Sequence, residues 1–169
     1  MRRVAIRAVL ASALMIQQAL AAPVCLQPSE RPVFDVAALR SQMMVLATSC
    51  HDDTQYNAFM NRYRPDLMAN ERAVDAYFKR VYGRSAQREH DTFVTDLANA
   101  QSDFGLTMGT DFCPRDDALF SEVMALQTAQ QLGEYAAGKD LIPGSMHICA
   151  DIAPTPKKAV YRRPVEKKK

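Results

Sequence analysis

His90 and the acidic residue that follows it, Asp91, are the pair in this 169-residue chain that most suggests catalysis. A histidine held by a carboxylate is a common general base in hydrolases. Neighbouring residues of a helix point about 100° apart, so the carboxylate that serves His90 has to come from another helix, such as Asp53 or Glu71. The pattern predicts either a hydrolytic site at His90 or, more commonly, a packed and hydrogen-bonded histidine.

Four cysteines offer a second chemistry. Their number is even and their spacing contains no C-x-x-C pair, which favours structural disulfides over a redox dithiol or a zinc ribbon. Four cysteines allow three pairings. We expect Cys25 to pair with Cys149, because the ends of a domain often lie close together, and Cys50 to pair with Cys113, because both flank predicted helices.

A zinc site is the alternative use of these cysteines. Cys50 is followed by His51, and His147 lies two residues before Cys149, so the two segments together offer two thiols and two imidazoles. Adjacent Cys-His pairs rarely aim both side chains at one ion, and an oxidising compartment converts thiols to disulfides. We therefore expect no metal and no other cofactor.

The end of a predicted fourth helix carries a polar rim formed by Asn99, Gln101 and Ser102. A small ligand could bind at such a rim, although helix ends are often polar for solvation alone. These three residues are the candidate binding residues of the chain.

The N-terminal residues predict export, and the C-terminal residues predict a disordered tail. A short positive segment, nine apolar residues (8–16) and a small-x-small site form the layout of a secretory signal peptide, with cleavage after Ala21. We place a domain at residues 22–151 and predict a periplasmic or secreted protein. Residues 152–169 are rich in Lys, Arg and Pro, so we expect a disordered tail whose residues 157–169 make weak electrostatic contact with anionic surfaces.

The charge distribution argues against a nucleic-acid partner. The formal net charge is +2, but the basic excess belongs to the leader and the tail, which leaves the body acidic. Phosphate binding needs clustered Lys and Arg. Beyond the leader, no apolar run is long enough to cross a bilayer, so we expect a protein that is not transmembrane.

Apolar residues recur at helical spacing along the body. Val36, Leu39, Met43 and Leu46 follow steps of three and four, and no segment alternates with the period of a strand. The predicted helices occupy residues 35–50, 54–64, 66–83, 85–104 and 116–138. This predicts an all-α fold of about five antiparallel helices in a bundle stapled by two disulfides.

Several short strings resemble those of small exported helical proteins of alphaproteobacteria, over roughly residues 35–140. The strings are Tyr56-Asn57-Ala58-Phe59, Tyr82-Gly83-Arg84, His90-Asp91, Leu97-Ala98-Asn99-Ala100-Gln101-Ser102 and Phe112-Cys113. That group has no known activity, so the resemblance implies a compartment and no mechanism.

Taken together, these features predict an exported envelope protein that is a non-catalytic binding or structural module. Its partner would be an unknown protein or an envelope polymer. Two other hypotheses stay open: an envelope hydrolase that uses His90 with a carboxylate from another helix, and a metal or small-ligand binder.

Overall fold

A computed structural model describes residues 25–149 of the chain. The predicted signal peptide (1–21) and the predicted basic tail (152–169) lie outside the described residues. Within this region the fold is a helical bundle with no strand, as the spacing of apolar residues predicted. The six α-helices are α1 Arg31–Cys50, α2 Asp53–Arg62, α3 Arg64–Tyr82, α4 Ala86–Met108, α5 Phe112–Ala125 and α6 Ala129–Lys139.

The first helix begins one turn earlier than the sequence indicated. The predicted start was residue 35, but the helix starts at Arg31 with Pro32 in its first turn. Proline is favoured there because its fixed φ suits a helix and its missing N–H is not needed. Asp35 consequently lies inside α1, where it is buried.

The predicted fifth helix was wrong in both its start and its continuity. The link before it is mostly helical: α4 runs to Met108, and Gly109, with φ +57°, turns the chain directly towards α5. The helix then breaks at Leu126, whose backbone is extended. Thr128 starts α6 with a capping box, in which its hydroxyl accepts from the Gln131 N–H and the Gln131 side chain accepts from the Thr128 N–H.

Helix α1 is the centre of the bundle and contacts each of the other five helices. Its buried residues lie all round its axis, which is typical of a helix enclosed by its neighbours. Two hydrophobic clusters meet along it. The first joins the C-terminal half of α1 to α2, α5 and α6, and its phenylalanines are Phe59, Phe112 and Phe120. The second joins the N-terminal half to α3 and α4 through Phe34, Phe78 and Phe93.

Two disulfides staple this bundle, and their pairing is the one that the sequence favoured. Cys50–Cys113 ties the end of α1 to the first turn of α5. Cys25–Cys149 ties the two ends of the described region, where Leu26 forms a short parallel bridge with Ile148. No helix among residues 25–149 combines the length and the apolar character that crossing a bilayer requires.

Candidate functional site

Helices α3 and α4 pack side by side and bring two carboxylates to one histidine. On α3, Glu71, Asp75 and Phe78 follow each other at steps of four and three, so they lie along one side of the helix. On α4, His90 lies three residues before the buried Phe93, on the face that packs against α3. The 3₁₀ turn Gly83–Ser85 makes the link between the helices short, and Gly83 adopts a positive φ of 54° there.

The imidazole of His90 lies between the two carboxylates. Its Nδ1 is 3.2 Å from Asp75 Oδ1, and its Nε2 is 3.5 Å from Glu71 Oε1. The His90 side chain is 12% exposed, whereas those of Glu71 and Asp75 are 36% and 41% exposed. The cluster is therefore half-buried, with the nitrogen ligand deeper than the oxygen ligands.

Two further contacts fix this arrangement. The His90 ring stacks on Phe78, with ring centroids 5.2 Å apart and an interplanar angle of 26°. From α1, Arg40 Nη2 lies 2.7 Å from Glu71 Oε2, the second oxygen of that carboxylate. The His90 imidazole and the two carboxylates are thus held by contacts from three helices.

The spacing of these groups suits a metal ion. One ligand atom from each of Glu71, Asp75 and His90 lies within 4.8 Å of the other two. In a tetrahedral zinc site, with metal–ligand bonds of about 2.1 Å, the ligand atoms lie about 3.4 Å apart. Because Asp75 faces Nδ1 and Glu71 faces Nε2, an ion bound at one of these nitrogens would need the carboxylate at the other nitrogen to turn towards it, and a fourth position would remain for water or another ligand.

A cleft of about 230 Å³ adjoins the cluster. His90 and Glu71 line it together with Tyr56, Met60 and the buried Ser41. Among residues 25–149 the Ser41 hydroxyl has no hydrogen-bond partner, and burial raises the pKa of the Tyr56 phenol above its ordinary value of 10.0. The site consequently has an enclosed space beside it in which a small molecule can bind.

The sequence identified part of this cluster. It proposed Glu71 as a partner of His90, and the two do meet. Asp91 does not take part, since it is exposed and accepts from Gln87 Nε2 at 2.9 Å, and Asp53 lies in the first turn of α2. Asp75 was missed, although its position four residues after Glu71 was a signal that could have found it.

The alternative zinc set of Cys50, His51, His147 and Cys149 is not formed. All four cysteines of the chain are engaged in the two disulfides, and each disulfide joins a cysteine of one pair to a cysteine elsewhere. His51 ends α1 in a left-handed conformation, with φ 63°, and His147 is exposed. A site that depends on thiolates therefore has no ligands here.

The three residues of the polar rim of α4 differ in their burial. Gln101 is buried and lines a second cavity of about 430 Å³ between α1, α4, α5 and residues 139–143. Asn99 and Ser102 are exposed and do not line it. Of the three predicted binding residues, one faces a cavity.

The chain matches no protein-family model, and comparison with curated proteins and with solved structures found no significant match. The resemblance to exported alphaproteobacterial proteins consequently stays a prediction, and the candidate site rests on its own geometry.

Proposed function

We propose that this chain is an exported envelope protein that acts as a binding module, and that it binds a divalent transition-metal ion through Glu71, Asp75 and His90. The observation that carries the proposal is that these three ligands, from two helices, converge within 4.8 Å beside an enclosed cleft. The ion's remaining position, open to that cleft, would take water or a small ligand.

The disulfides support the export half of this proposal. Structural disulfides persist in the periplasm and outside the cell, whereas the cytosol keeps most thiols reduced. Both described disulfides join distant segments, separated by 124 and 63 residues, so they act on the whole bundle. The predicted leader and cleavage site agree with this compartment.

The ligand types indicate which ions fit. Imidazole nitrogen is a good ligand for Zn²⁺ and its neighbours in the transition series, whereas Mg²⁺ and Ca²⁺ prefer oxygen alone. A set of one nitrogen and two carboxylates therefore favours Zn²⁺ over Mg²⁺. The Arg40 guanidinium pairs with Oε2 of Glu71, and the other oxygen of that carboxylate, Oε1, lies towards His90.

Titration of the purified, oxidised and untagged chain with Zn²⁺ in a calorimeter tests the metal site. We expect one Zn²⁺ per chain and no measurable heat with Mg²⁺. His90→Ala, Glu71→Gln and Asp75→Asn should each weaken Zn²⁺ binding by more than about tenfold, since even outer-shell changes cost that much in metal sites. Bound Zn²⁺ should also raise the unfolding temperature of the wild-type chain.

Two matched variants separate the site from the general effect of losing a histidine or an acid. His147→Ala removes an exposed histidine outside the cluster, and Asp91→Asn removes the carboxylate next to His90 in sequence. Both should bind Zn²⁺ like the wild type. Absence of stoichiometric binding, or equal weakening in the controls, would show that the cluster is an interhelical polar contact and nothing more.

Hydrolysis is a second candidate function, favoured by the contact of Asp75 with Nδ1 of His90 at 3.2 Å. A carboxylate in that position orients the ring, so that the other nitrogen can accept a proton from water in the cleft. Assays with chromogenic esters and glycosides test this candidate. Turnover that is lost in His90→Ala and kept in His147→Ala would support it, and no turnover with any substrate would leave binding as the function.

A further inference from the structure

The cavity that Gln101 lines, which is larger than the cleft beside His90, has the composition of a small-molecule site. It encloses about 430 Å³ between α1, α4, α5 and residues 139–143, within the size range of known ligand sites. Its apolar wall comes from Phe104, Leu119 and the segment Leu141-Ile142-Pro143. A ligand here would place an apolar body against this wall.

One polar side chain that lines this cavity has an acceptor without a hydrogen-bond partner among the described residues. Gln101 is 4% exposed, and its Nε2 donates to the Ala38 carbonyl of α1 at 3.0 Å. Its Oε1 is buried and accepts no hydrogen bond from any residue that the structure describes. Because a buried acceptor without a partner is costly, a ligand N–H or O–H that meets Oε1 after the amide turns towards the cavity would gain a hydrogen bond that the empty protein lacks.

The charges at the rim of the cavity cancel and are already paired. Lys139 Nζ lies 3.2 Å from Glu122 Oε2, and Asp140 Oδ1 accepts from Arg31 Nη2 at 2.9 Å. A charged ligand would have to break one of these pairs, whereas a neutral one would not. The rim therefore favours an uncharged ligand.

We propose that this cavity binds a neutral, mostly apolar small molecule that carries one N–H or O–H group and donates it to Gln101 Oε1. This site is independent of the proposed metal site. It gives a partner to Gln101 Oε1, while Nε2 keeps its hydrogen bond to the Ala38 carbonyl.

Nuclear magnetic resonance titration with two closely matched probes tests the site. Indole has an apolar body and one N–H donor, and 1-methylindole has nearly the same shape without the donor. We expect indole to shift the amide signals of Gln101, Leu141 and Ile142 saturably, and 1-methylindole to bind about fivefold more weakly, the effect of one neutral hydrogen bond. This comparison needs no variant.

A substitution then assigns the preference to one atom. Gln101→Met keeps the shape and removes the acceptor, so it should bring the affinities for the two probes close together. Asn99→Ala and Ser102→Ala change exposed neighbours on the same helix and should keep the fivefold preference. Shifts that do not saturate, shifts outside the cavity, or equal affinity of the two probes for the wild type would each overturn the proposal.

Discussion

The ring of His90 stacks on the ring of Phe78, which lies on the facing helix. This contact fixes the plane of the imidazole, and both ring nitrogens lie in that plane. Phe78 itself is held in the second cluster by Phe34 and Phe93. The aromatic core therefore sets the direction in which His90 presents its nitrogens to Glu71 and Asp75.

Phe78→Leu should weaken Zn²⁺ binding although all three ligands remain. We expect a loss of about tenfold, as for other side chains that orient a ligand without touching the ion. Calorimetric titration with Zn²⁺ measures it. Phe93→Leu is the matched control, because Phe93 belongs to the same aromatic cluster and packs against Phe78 with its ring tilted by 40°. Equal losses in both variants would mean that a looser core, and not the orientation of His90, weakens binding.

Arg40→Met should strengthen Zn²⁺ binding several-fold. The guanidinium of Arg40 pairs with Glu71 at 2.7 Å and competes with a cation for its negative charge. Methionine keeps the apolar stem against the cleft and removes the charge. Since a partly exposed ion pair contributes at most about 1 kcal/mol, the fold should tolerate the change.

The control for Arg40→Met is Arg80→Met, which removes the same charge from a pair that Arg80 makes with Glu30, outside the cluster. It should leave the affinity for Zn²⁺ unchanged. A weaker affinity in Arg40→Met would contradict the competition argument, because it would mean that the guanidinium holds Glu71 in the binding geometry.

The sequence predicted the helical class and the disulfide pairing because both depend on regular spacing and on where the cysteines fall between helices. It also predicted that His90 needs a carboxylate from another helix, and named Glu71. It could not choose between Glu71 and Asp53, because that choice depends on which helices become neighbours. The sequence could not show which rim residue is buried for the same reason: the burial of Gln101 depends on α1, which packs across it.

The errors at helix ends have local causes. Asp35 is a good capping residue by type, but Pro32 sets the start of α1 one turn earlier. The break between α5 and α6 was visible in the chain as Thr128 followed three residues later by Gln131, the spacing of a capping box. It was missed because the apolar spacing on either side continues across the break.

Replacing both Cys50 and Cys113 with Ala should lower the free energy of unfolding by about 4 kcal/mol. The disulfide closes a loop of 63 residues, and cross-linking a loop of that size removes much of the entropy of the unfolded chain. Urea unfolding followed by circular dichroism measures the difference. The pair Cys25 and Cys149, replaced in the same way, closes a longer loop of 124 residues and should cost at least as much.

An unchanged urea midpoint in the Cys50 and Cys113 variant would contradict the disulfide assignment. The wild-type chain unfolded in the presence of a reductant provides the control, since it should match the loss that the two double variants show together. A chain whose stability did not respond to reductant would have its four sulfur atoms unpaired in solution.

The raised pKa of Asp35 should make the wild-type protein lose stability as the pH rises from acid to neutral. Burial raises the pKa of Asp35 above its ordinary value of 3.8, against the opposing attraction of Arg31, whose Nε lies 3.5 Å away. The folded state therefore binds a proton more tightly than the unfolded state. The stability that this group contributes is fully present below pH 3.8 and is lost as the pH rises through the higher pKa of the folded state.

Asp35→Asn tests the direction of this change of stability with pH, because it places an uncharged group of the same shape in the buried position. At pH 7 the variant should be at least as stable as the wild type, and the difference between them should shrink when unfolding is measured at successively lower pH down to 3.8. Asp91→Asn removes an exposed carboxylate on α4 that is not among the groups acting on Asp35, and it should not show this trend. A wild-type chain that gained stability over Asp35→Asn as the pH rose would mean that the pairing with Arg31 outweighs the cost of burial.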